Sequence, residues 1–341
     1  MRRSETSGSS PRLPSRVLED SFGRRFEYLR LSLTDRCNFR CTYCLPQGYR
    51  KDPSLPAELS RDEMRRAVQG FARLGLWKLR LTGGEPTVRA DFDDIVRDMA
   101  GVDGIRRIAM TTNGYRLAER AGQWRKAGVD AVNVSIDTLD RQTFARVTGH
   151  DRLPQIVGGV DAALEAGFDA VKINSVLMRS LESDGWEDIL SFVQHRPVAW
   201  RFIELMRTND NAGMHGCEAT PGQNVISRLE QSGWQREERA AGSGPAIEYS
   251  HPDFAGRIGL IAPYSSGFCD SCNRLRLSSR GKLQLCLFGE EGLNLRDLLQ
   301  RDDQQDELVA RIVALLPAKP RAHRLHEGES GATPHLASIG G

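Results

Sequence analysis

The sequence lacks the features that mark membrane, exported and nucleic-acid-binding proteins. No stretch of its 341 residues approaches the roughly 20 consecutive apolar residues that span a bilayer. Its first twenty residues contain no apolar core of the kind found in secretory signals. The net charge is only +2, so no excess of one sign favours nucleic acid or a membrane surface. We therefore expect a cytoplasmic protein that binds neither membranes nor nucleic acid.

The N-terminal segment is rich in Arg, Ser and Pro. Arg and Ser are frequent in transit peptides, but Glu5 and the helix-breaking Pro11 and Pro14 disfavour one. We expect a disordered tail over residues 1–24. A barrel domain over residues 25–240 and a C-terminal region over residues 241–341 would follow it.

Cysteine is the informative residue, because six of the seven cysteines form two sets of three. The sets are spaced C-x3-C-x2-C and C-x2-C-x13-C, and they comprise Cys37, Cys41 and Cys44, and Cys269, Cys272 and Cys286. Thiols that stay reduced inside a cell favour metal binding over disulfides. A [4Fe–4S] cluster has four irons, so three thiolates leave one iron free to bind another molecule. Zinc remains an alternative at the first set, and Cys217 is read as a lone free thiol.

Six β-rich runs alternate with helical patterns and predict βαβ units with a parallel sheet. The runs are Tyr28–Leu33, Lys78–Thr82, Arg107–Thr112, Ala131–Ile136, Ala170–Val176 and Val198–Leu205. One predicted helix runs from Ser60, which with Glu63 matches a capping box, to Leu74 before Gly75. The predicted fold is α/β, an incomplete (β/α)6 TIM-type barrel.

Side-chain alternation within these strands predicts an unusually polar barrel interior. Leu29 and Leu31 alternate with Arg30, and Leu79 and Leu81 alternate with Arg80. Asn133, Ser135, Lys172 and, less regularly, Arg201 continue the polar face in later strands. Buried, unpaired charges would cost several kcal/mol each, roughly, so a large anion in the interior would offset them. The alternative is an open sheet with these residues in water.

The C-terminal region predicts further strands over Arg257–Ala262, Leu275–Ser278 and Lys282–Phe288, and helices near Leu293–Gln300 and Glu307–Leu316. The SSRG sequence between the last two strands indicates a hairpin, which would return Cys286 towards the other two cysteines of the second set. Arg274 and Arg276 lie two residues apart, so both side chains leave the same face of a strand.

The order and spacing of these motifs resemble a known family. Tyr43 before the third cysteine and the sequence GGEP after the second strand resemble the radical S-adenosylmethionine superfamily. LRLSLTDRCNFRCTYC, LRLTGGEPTVR, TTNG, SIDTL, RFIELM, FCDSCNRLRL and the terminal Gly340-Gly341 together resemble the GTP 3′,8-cyclase family, which begins molybdenum cofactor (molybdopterin) biosynthesis. The resemblance covers nearly all of Arg25–Gly341; the N-terminal extension is longer than the family needs.

The resemblance implies the cofactors and the reaction. One [4Fe–4S] cluster on the first cysteine set would bind S-adenosylmethionine and cleave it to a 5′-deoxyadenosyl radical. That radical would take hydrogen from C3′ of GTP, and the carbon radical would attack C8. The product would be (8S)-3′,8-cyclo-7,8-dihydroguanosine 5′-triphosphate. The residues implied to hold S-adenosylmethionine are Tyr43, Gly84, Ser135 and Met206.

The resemblance also implies the substrate site. A second [4Fe–4S] cluster on the second cysteine set would bind the guanine base. The implied GTP-binding residues are Arg30, Arg80, Thr111, Lys172, Arg274, Leu275 and Arg276, to which strand alternation adds Arg201. The residues implied to act in catalysis are Cys37, Cys41, Cys44, Arg274, Arg276, Gly340 and Gly341. The terminal glycines would reach into the active site; a frayed chain end is the alternative.

The resemblance further implies partners. A flavodoxin- or ferredoxin-like protein would supply electrons, and cyclic pyranopterin monophosphate synthase would take the product; a homodimer is left open. Two rival hypotheses remain at this point. A radical maturase that modifies a peptide would also use C-terminal cysteines, and a zinc-stabilised nucleotide-binding protein would use the same thiols without catalysis.

Overall fold

A computed structural model of the protein describes residues 18–181, 185–238, 244–289, 292–331, 333 and 335–340. Within this part of the chain, no helix is long and apolar enough to cross a membrane.

One mixed sheet organises the described chain. Its strands, in chain order, are β1 (Tyr28–Ser32), β2 (Lys78–Thr82), β3 (Arg107–Thr112), β4 (Ala131–Ser135), β5 (Ala170–Leu177), β6 (Ala199–Glu204), β7 (Gln235–Arg236), β8 (Ile247–Ser250), β9 (Arg257–Ile261), β10 (Arg274–Leu277), β11 (Lys282–Gln284) and β12 (Leu293–Asn294). The spatial order is β12-β11-β10-β1-β2-β3-β4-β5-β6-β9-β8-β7. The run from β10 through β1–β6 to β9 is parallel, with antiparallel pairs outside it.

The sheet confirms the predicted incomplete α/β barrel and enlarges it. The six predicted strands are adjacent, as expected for successive βαβ units. The predicted strands of the C-terminal region do not form a separate layer. Instead β9 pairs with β6 and β10 pairs with β1, so each adds a parallel strand to one edge of the six. Residues of the second cysteine set thereby stand beside the first strand of the barrel.

Helices cover the apolar face of the sheet. They are α1 (Arg61–Arg73), α2 (Phe92–Ala100), α3 (Leu117–Ala127), α4 (Arg141–Thr148), α5 (Leu153–Glu165), α6 (Trp186–Gln194), α7 (Ala212–Glu218), α8 (Gln223–Gln231) and α9 (Gln305–Leu315). The capping box of α1 is confirmed, since the Ser60 side chain accepts from the Glu63 amide and Glu63 accepts from the Ser60 amide. Leu29, Leu31 and Leu79 are fully buried against these helices. The apolar half of the strand alternation therefore forms the core.

Two elements of the C-terminal region differ from their predictions. The strand expected to run to Phe288 ends at Gln284, so Cys286 lies in the following turn. The Lys319 ammonium donates to the Leu285 carbonyl, which removes that carbonyl from strand pairing. The helix expected near Leu293–Gln300 is the short strand β12, paired with β11, and a 3-10 helix over Arg296–Leu299.

Most of the predicted N-terminal tail lies outside the described residues, but its last part is folded. Leu18 is buried, and Arg24 forms an ion pair with Asp20 at 2.7 Å. The Arg24 guanidinium also donates to the backbone carbonyls of Cys269 and Arg321. Because these contacts satisfy a buried cation, the residues from Leu18 onward are held against the loop that carries the second cysteine set.

Candidate functional site

A cavity of about 330 Å³ lies on the polar side of the sheet. Each of the eight parallel strands contributes at least one lining residue, so the sheet curves around this cavity. The predicted polar interior is confirmed in its placement: Arg30, Arg80, Asn133, Lys172 and Arg201 all line the cavity. The volume suits a small-molecule site.

All six clustered cysteines line this cavity, and none forms a disulfide. Cys217 lies exposed on α7, apart from the cavity. The first set follows β1 in a loop fixed by its backbone: the amides of Arg40 and Thr42 donate to carbonyls of Thr148 and Val147, at the end of α4. Such anchoring holds the thiols in position before any metal binds.

The thiols of the first set are buried and close to one another. Burial, with the neighbouring Glu85 carboxylate and Cys44 thiol, raises the pKa of Cys37 to about 12. Burial and the Asp137 carboxylate raise the pKa of Cys44 to about 11, and burial raises that of Cys41 well above its usual value. Buried thiols without cations nearby gain from coordinating iron, which replaces their protons.

The donor set fits an iron–sulfur cluster. Cys37, Cys41 and Cys44 all line the cavity, and three thiolates can each hold a different iron and leave the fourth iron open to another ligand.

The four residues predicted to hold S-adenosylmethionine, Tyr43, Gly84, Ser135 and Met206, all line the cavity. The Asn211 amide donates to the carbonyls of both Tyr43 and Met206, which joins the cysteine loop to the end of β6. The Tyr43 hydroxyl donates to Asp137 at 2.9 Å. Gly84 admits no side chain, because a Cβ there would lie 2.4 Å from the Arg36 carbonyl oxygen.

Glu85 of the GGEP sequence organises this end of the sheet. Its buried carboxylate accepts from the Thr87 amide and hydroxyl, from the Thr112 hydroxyl at 2.9 Å and from the Asn113 amide at 2.7 Å. Asn113 in turn donates to Asn38 in the cysteine loop. The carboxylate therefore connects the ends of β2 and β3 to the first cysteine set.

Three arginines on neighbouring strands form a row of cationic side chains, the arginine row. Arg276 on β10, Arg30 on β1 and Arg80 on β2 are register partners, so their side chains stand side by side. Arg80 and Arg276 are buried, and all three line the cavity. Arg274, Lys78, Lys172, Arg201 and Lys319 add further cationic lining. Thr111, another predicted residue, accepts from Arg80 at 3.1 Å.

Arg201 and Lys172 differ from the arginine row in their surroundings. Arg201 forms an ion pair with Glu248, which balances its charge within the protein. Lys172 lies near that pair, and burial together with the charges of Arg201 and Arg80 lowers the pKa of Lys172 to about 7. The net positive charge is therefore concentrated on the side of β10, β1 and β2.

The side chain of Leu275, another predicted GTP contact, is not among the residues that line the cavity. It lies between Arg274 and Arg276 on β10, so its side chain points to the opposite face and is fully buried in the core. Any contact between Leu275 and a ligand in the cavity would therefore be made by its backbone atoms.

The second cysteine set lies in a cationic environment. Cys269 and Cys272 are in a turn before β10, and Cys286 follows β11, so the predicted hairpin brings the three together at the cavity. Burial alone would raise the pKa of Cys272, but the charges of Arg274, Lys319 and Arg24 lower it below its usual value.

The C-terminal segment enters the cavity. The Gly340 carbonyl accepts from Arg30 at 2.8 Å, from Arg276 at 3.2 Å and from Thr82 at 3.3 Å. Gly340 has a φ of 73°, and a Cβ there would lie 2.4 Å from the Thr82 methyl carbon. Gly341 lies outside the described residues.

Sequence reasoning missed several lining residues. Tyr28 shares the parity of Arg30, so the same alternation could have identified it, whereas Lys78 and Asp137 belong to the polar face that alternation predicts but were not among the predicted ligand contacts. Asp137 follows Ser135 with the same parity. Lys319 lies after α9, far from any strand, and the sequence carried no signal for it.

Comparisons with known proteins agree with this geometry. A family model described as "Radical SAM superfamily" matches residues 31–193, and one described as "Molybdenum Cofactor Synthesis C" matches residues 198–325. The chain is 52% identical over 328 residues to a GTP 3′,8-cyclase of Aeromonas hydrophila, covering 95% of this chain and 96% of that one. It is also 52% identical over 324 residues to one of Stenotrophomonas maltophilia, with 95% and 99% covered.

Solved structures support the fold alone. Streptococcus suis SuiB bound to S-adenosylmethionine aligns with a TM-score of 0.59 at 13% identity, covering 84% of this chain and 68% of that one. The sequence relatives carry the assignment: the chain belongs to the GTP 3′,8-cyclase family, radical S-adenosylmethionine enzymes of molybdenum cofactor synthesis.

Proposed function

We propose that the chain cyclises GTP to (8S)-3′,8-cyclo-7,8-dihydroguanosine 5′-triphosphate within this cavity. S-adenosylmethionine would bind at a cluster on the first cysteine set, and the guanine base at a second [4Fe–4S] cluster on Cys269, Cys272 and Cys286. The observation that carries the proposal is that both cysteine sets and the arginine row line one cavity. A peptide substrate would not require so many cations.

The residues around the first set suit a small zwitterionic ligand. Gly84 gives backbone access, Ser135 offers a hydroxyl and Met206 an apolar surface, all beside the three thiols. A cluster held by Cys37, Cys41 and Cys44 would supply the electron for reductive cleavage of S-adenosylmethionine and thereby the radical that removes hydrogen from C3′ of the ribose. Asn211 holds Tyr43 and Met206 in fixed positions on either side of that site.

The arginine row suits the triphosphate. Guanidinium groups of Arg276, Arg30 and Arg80 stand at one level of the sheet, where planar donors can contact phosphate oxygens in pairs. Arg274, Lys78 and Lys172 extend the positive surface around them. We assign Arg201 a weaker contribution, because Glu248 already balances its charge.

The second cysteine set would fix the guanine base. Arg274 begins the strand that also carries Arg276, so an anchor for the base and one for the phosphates lie on one rigid element. A nucleotide held by its base at the second set and by its phosphates at β10, β1 and β2 would have its ribose inside the cavity that the first set also lines. The geometry thus supports transfer of hydrogen from the ribose to a radical generated at the first set.

The C-terminal glycines would act within this site. The contacts of Gly340 with Arg30 and Arg276 support a role for the tail beside the triphosphate. A variant lacking Gly340 and Gly341 should lose turnover of GTP while retaining its iron content. Turnover equal to that of the full chain would contradict this role.

Several partners follow from this proposal. The reaction needs a low-potential electron donor, for which a flavodoxin- or ferredoxin-like protein is the candidate, and the product would pass to cyclic pyranopterin monophosphate synthase. The enzyme would act in the cytoplasm, where its clusters are protected from oxidation. A homodimer is compatible with this reaction but is not required by it.

Isotope transfer tests the reaction itself. GTP deuterated at C3′ should transfer its deuterium to 5′-deoxyadenosine. The cyclised triphosphate, having lost that deuterium to the radical, should have the same mass as the product formed from unlabelled GTP. A cyclised triphosphate that retains the deuterium, with none in 5′-deoxyadenosine, would contradict abstraction at C3′.

A further inference from the structure

Tyr28 has a buried phenol side chain beside the arginine row. It is the first residue of β1, only 5% exposed, and it lines the cavity with Arg30 two residues later. Its phenol oxygen accepts a hydrogen bond from Arg80. The Lys78 ammonium lies 5.1 Å from its ring centroid. Strand register sets Tyr28 between Lys78 on β2 and Arg274 on β10.

The charged groups around Tyr28 are all cations. Its own strand contributes Arg30, β2 contributes Lys78 and Arg80, and β10 contributes Arg274 and Arg276. The Glu248 carboxylate on β8 is paired with Arg201 on β6, and its charge also acts on Lys172. Tyr28 is thus an acidic group that offsets the charges of Arg30 and Arg276, and the Cys286 thiol acts on Arg276 in the same direction.

The electrostatic effects are reciprocal. Burial alone would raise the pKa of the Tyr28 phenol, but the charges of Arg80, Arg30 and Lys78 outweigh it and lower that pKa to about 7. Burial lowers the pKa of Arg30 to about 10, and the Tyr28 oxygen acts in the opposite direction. Tyrosine and arginine therefore stabilise each other's charged forms in the substrate-free protein.

We propose that Tyr28 is the counter-ion of the arginine row in the substrate-free enzyme, and that it takes up a proton when a triphosphate occupies the cavity. This inference rests on the proposed binding of the triphosphate at Arg30, Arg80 and Arg276. The step balances as phenolate plus one proton from the buffer giving phenol. The phenol then becomes a donor, and its O–H can bond a phosphate oxygen.

The physical reason is a competition between anions. A buried row of cations needs negative charge nearby, which the phenolate supplies when the cavity holds no substrate. The triphosphate brings several negative charges to the same guanidinium groups. A phenolate beside it would then be repelled, so its protonation becomes favourable.

The consequence is a substrate affinity that falls as the pH rises. At pH 8, one unit above a pKa of about 7, about nine-tenths of Tyr28 is ionised before binding. Binding then draws close to one proton onto Tyr28, which weakens GTP affinity by up to about tenfold per pH unit. Lys172, whose pKa is also about 7, adds a second uptake of the same sign. Only a comparison of variants separates the two.

The test is isothermal calorimetry of GTP binding to anaerobically reconstituted enzyme without S-adenosylmethionine. Titration at pH 8 in two buffers with different ionisation enthalpies gives the number of protons taken up. We expect Tyr28→Phe to take up about one proton fewer than the unmodified chain. Tyr115→Phe, at an exposed tyrosine that contacts Arg152, is the matched control and should match the unmodified chain.

A second variant keeps the counter-charge. Tyr28→Asp carries an anion that stays ionised at pH 8, so it should also take up about one proton fewer, even if Tyr28→Phe does not fold. Equal proton uptake by the unmodified chain and whichever variant folds would overturn the inference while leaving the cyclase proposal intact. Failure of GTP to bind the unmodified chain would instead overturn the proposed triphosphate site, and the inference with it.

Discussion

The two cysteine sets line one cavity but differ in the charged groups around them. The first set is surrounded by apolar groups and carboxylates, and burial with Glu85 and Asp137 raises the pKa values of its thiols. At the second set, the cations Arg274, Lys319 and Arg24 overcome burial and lower the pKa of Cys272. Both sites thus have three cysteine thiols as ligands, but the groups around these thiols differ.

The difference matches two tasks. A site that binds a ligand bearing its own positive sulfonium charge does not need protein cations, and the first set has carboxylates instead. A site next to a triphosphate needs them, and the second set shares Arg274 and its strand with the arginine row. The cations that would recognise the substrate therefore also stabilise the Cys272 thiolate, whereas burial raises the pKa of Cys269 as it does those of the first set.

The largest effect is expected at the first set. Cys41→Ala should abolish formation of 5′-deoxyadenosine, because a cluster with a missing ligand cannot bind and reduce S-adenosylmethionine there. Iron content should fall to about half, as only the second cluster remains. Anaerobic assays with a strong reductant measure both. Cys217→Ala, which removes the exposed thiol, is the control and should leave both unchanged.

Cys272→Ala should affect the second cysteine set and leave the first intact. Iron content should again fall to about half, but cleavage of S-adenosylmethionine should persist because the first set is intact. GTP binding should weaken, since the base loses its anchor. A GTP affinity equal to that of the unmodified chain would show that the second set does not bind substrate.

Arg276→Ala tests the arginine row, which shares strand β10 with Arg274 of the second cysteine site. Loss of charge-assisted hydrogen bonds worth about 1.5–3 kcal/mol should weaken GTP binding by roughly 10- to 150-fold. Calorimetry of GTP binding gives the ratio. Arg236→Ala, on the exposed edge strand β7, is the control for loss of an arginine. Equal affinities for the two variants would remove the row from the substrate site.

The smallest effect is expected where the two regions are joined. The Asp35 carboxylate, in the first cysteine loop, accepts from the Ser279 hydroxyl and forms an ion pair with Arg280 at 2.9 Å in the turn between β10 and β11. Asp35→Ala should lower the free energy of unfolding by about 1–3 kcal/mol, because it leaves partly buried donors unpaired. Urea unfolding of the metal-free protein measures this change. A variant as stable as the unmodified chain would mean that the two regions fold without this link.

Strand alternation predicted which residues line the cavity, because successive side chains of a strand point to opposite faces of the sheet whatever its partners are. Arg30 and Arg80 follow Leu29 and Leu79, so their opposite faces could be assigned before any pairing was known. The same rule assigns Leu275 to the core, and the resemblance to the family alone suggested it as a GTP contact. Alternation thus limits the predicted GTP contact of Leu275 to its backbone.

Features that depend on distant pairing could not be predicted. Nothing local in β9 and β10 indicates that they flank the six predicted strands, since register is fixed by partners far along the chain. The Glu248 partner of Arg201 comes from β8, and Lys319 reaches the second cysteine set from beyond α9. These contacts decide which cations are free for substrate, so the charge distribution required the structure.

The central claim is that both cysteine sets serve one reaction on GTP. The most direct measurement uses anaerobically reconstituted enzyme with S-adenosylmethionine, a strong reductant, and either GTP or no nucleotide, and quantifies 5′-deoxyadenosine and the cyclised triphosphate. Both products should form together, and their formation should depend on GTP. Formation of 5′-deoxyadenosine at the same rate with and without GTP, and no cyclised triphosphate, would contradict it.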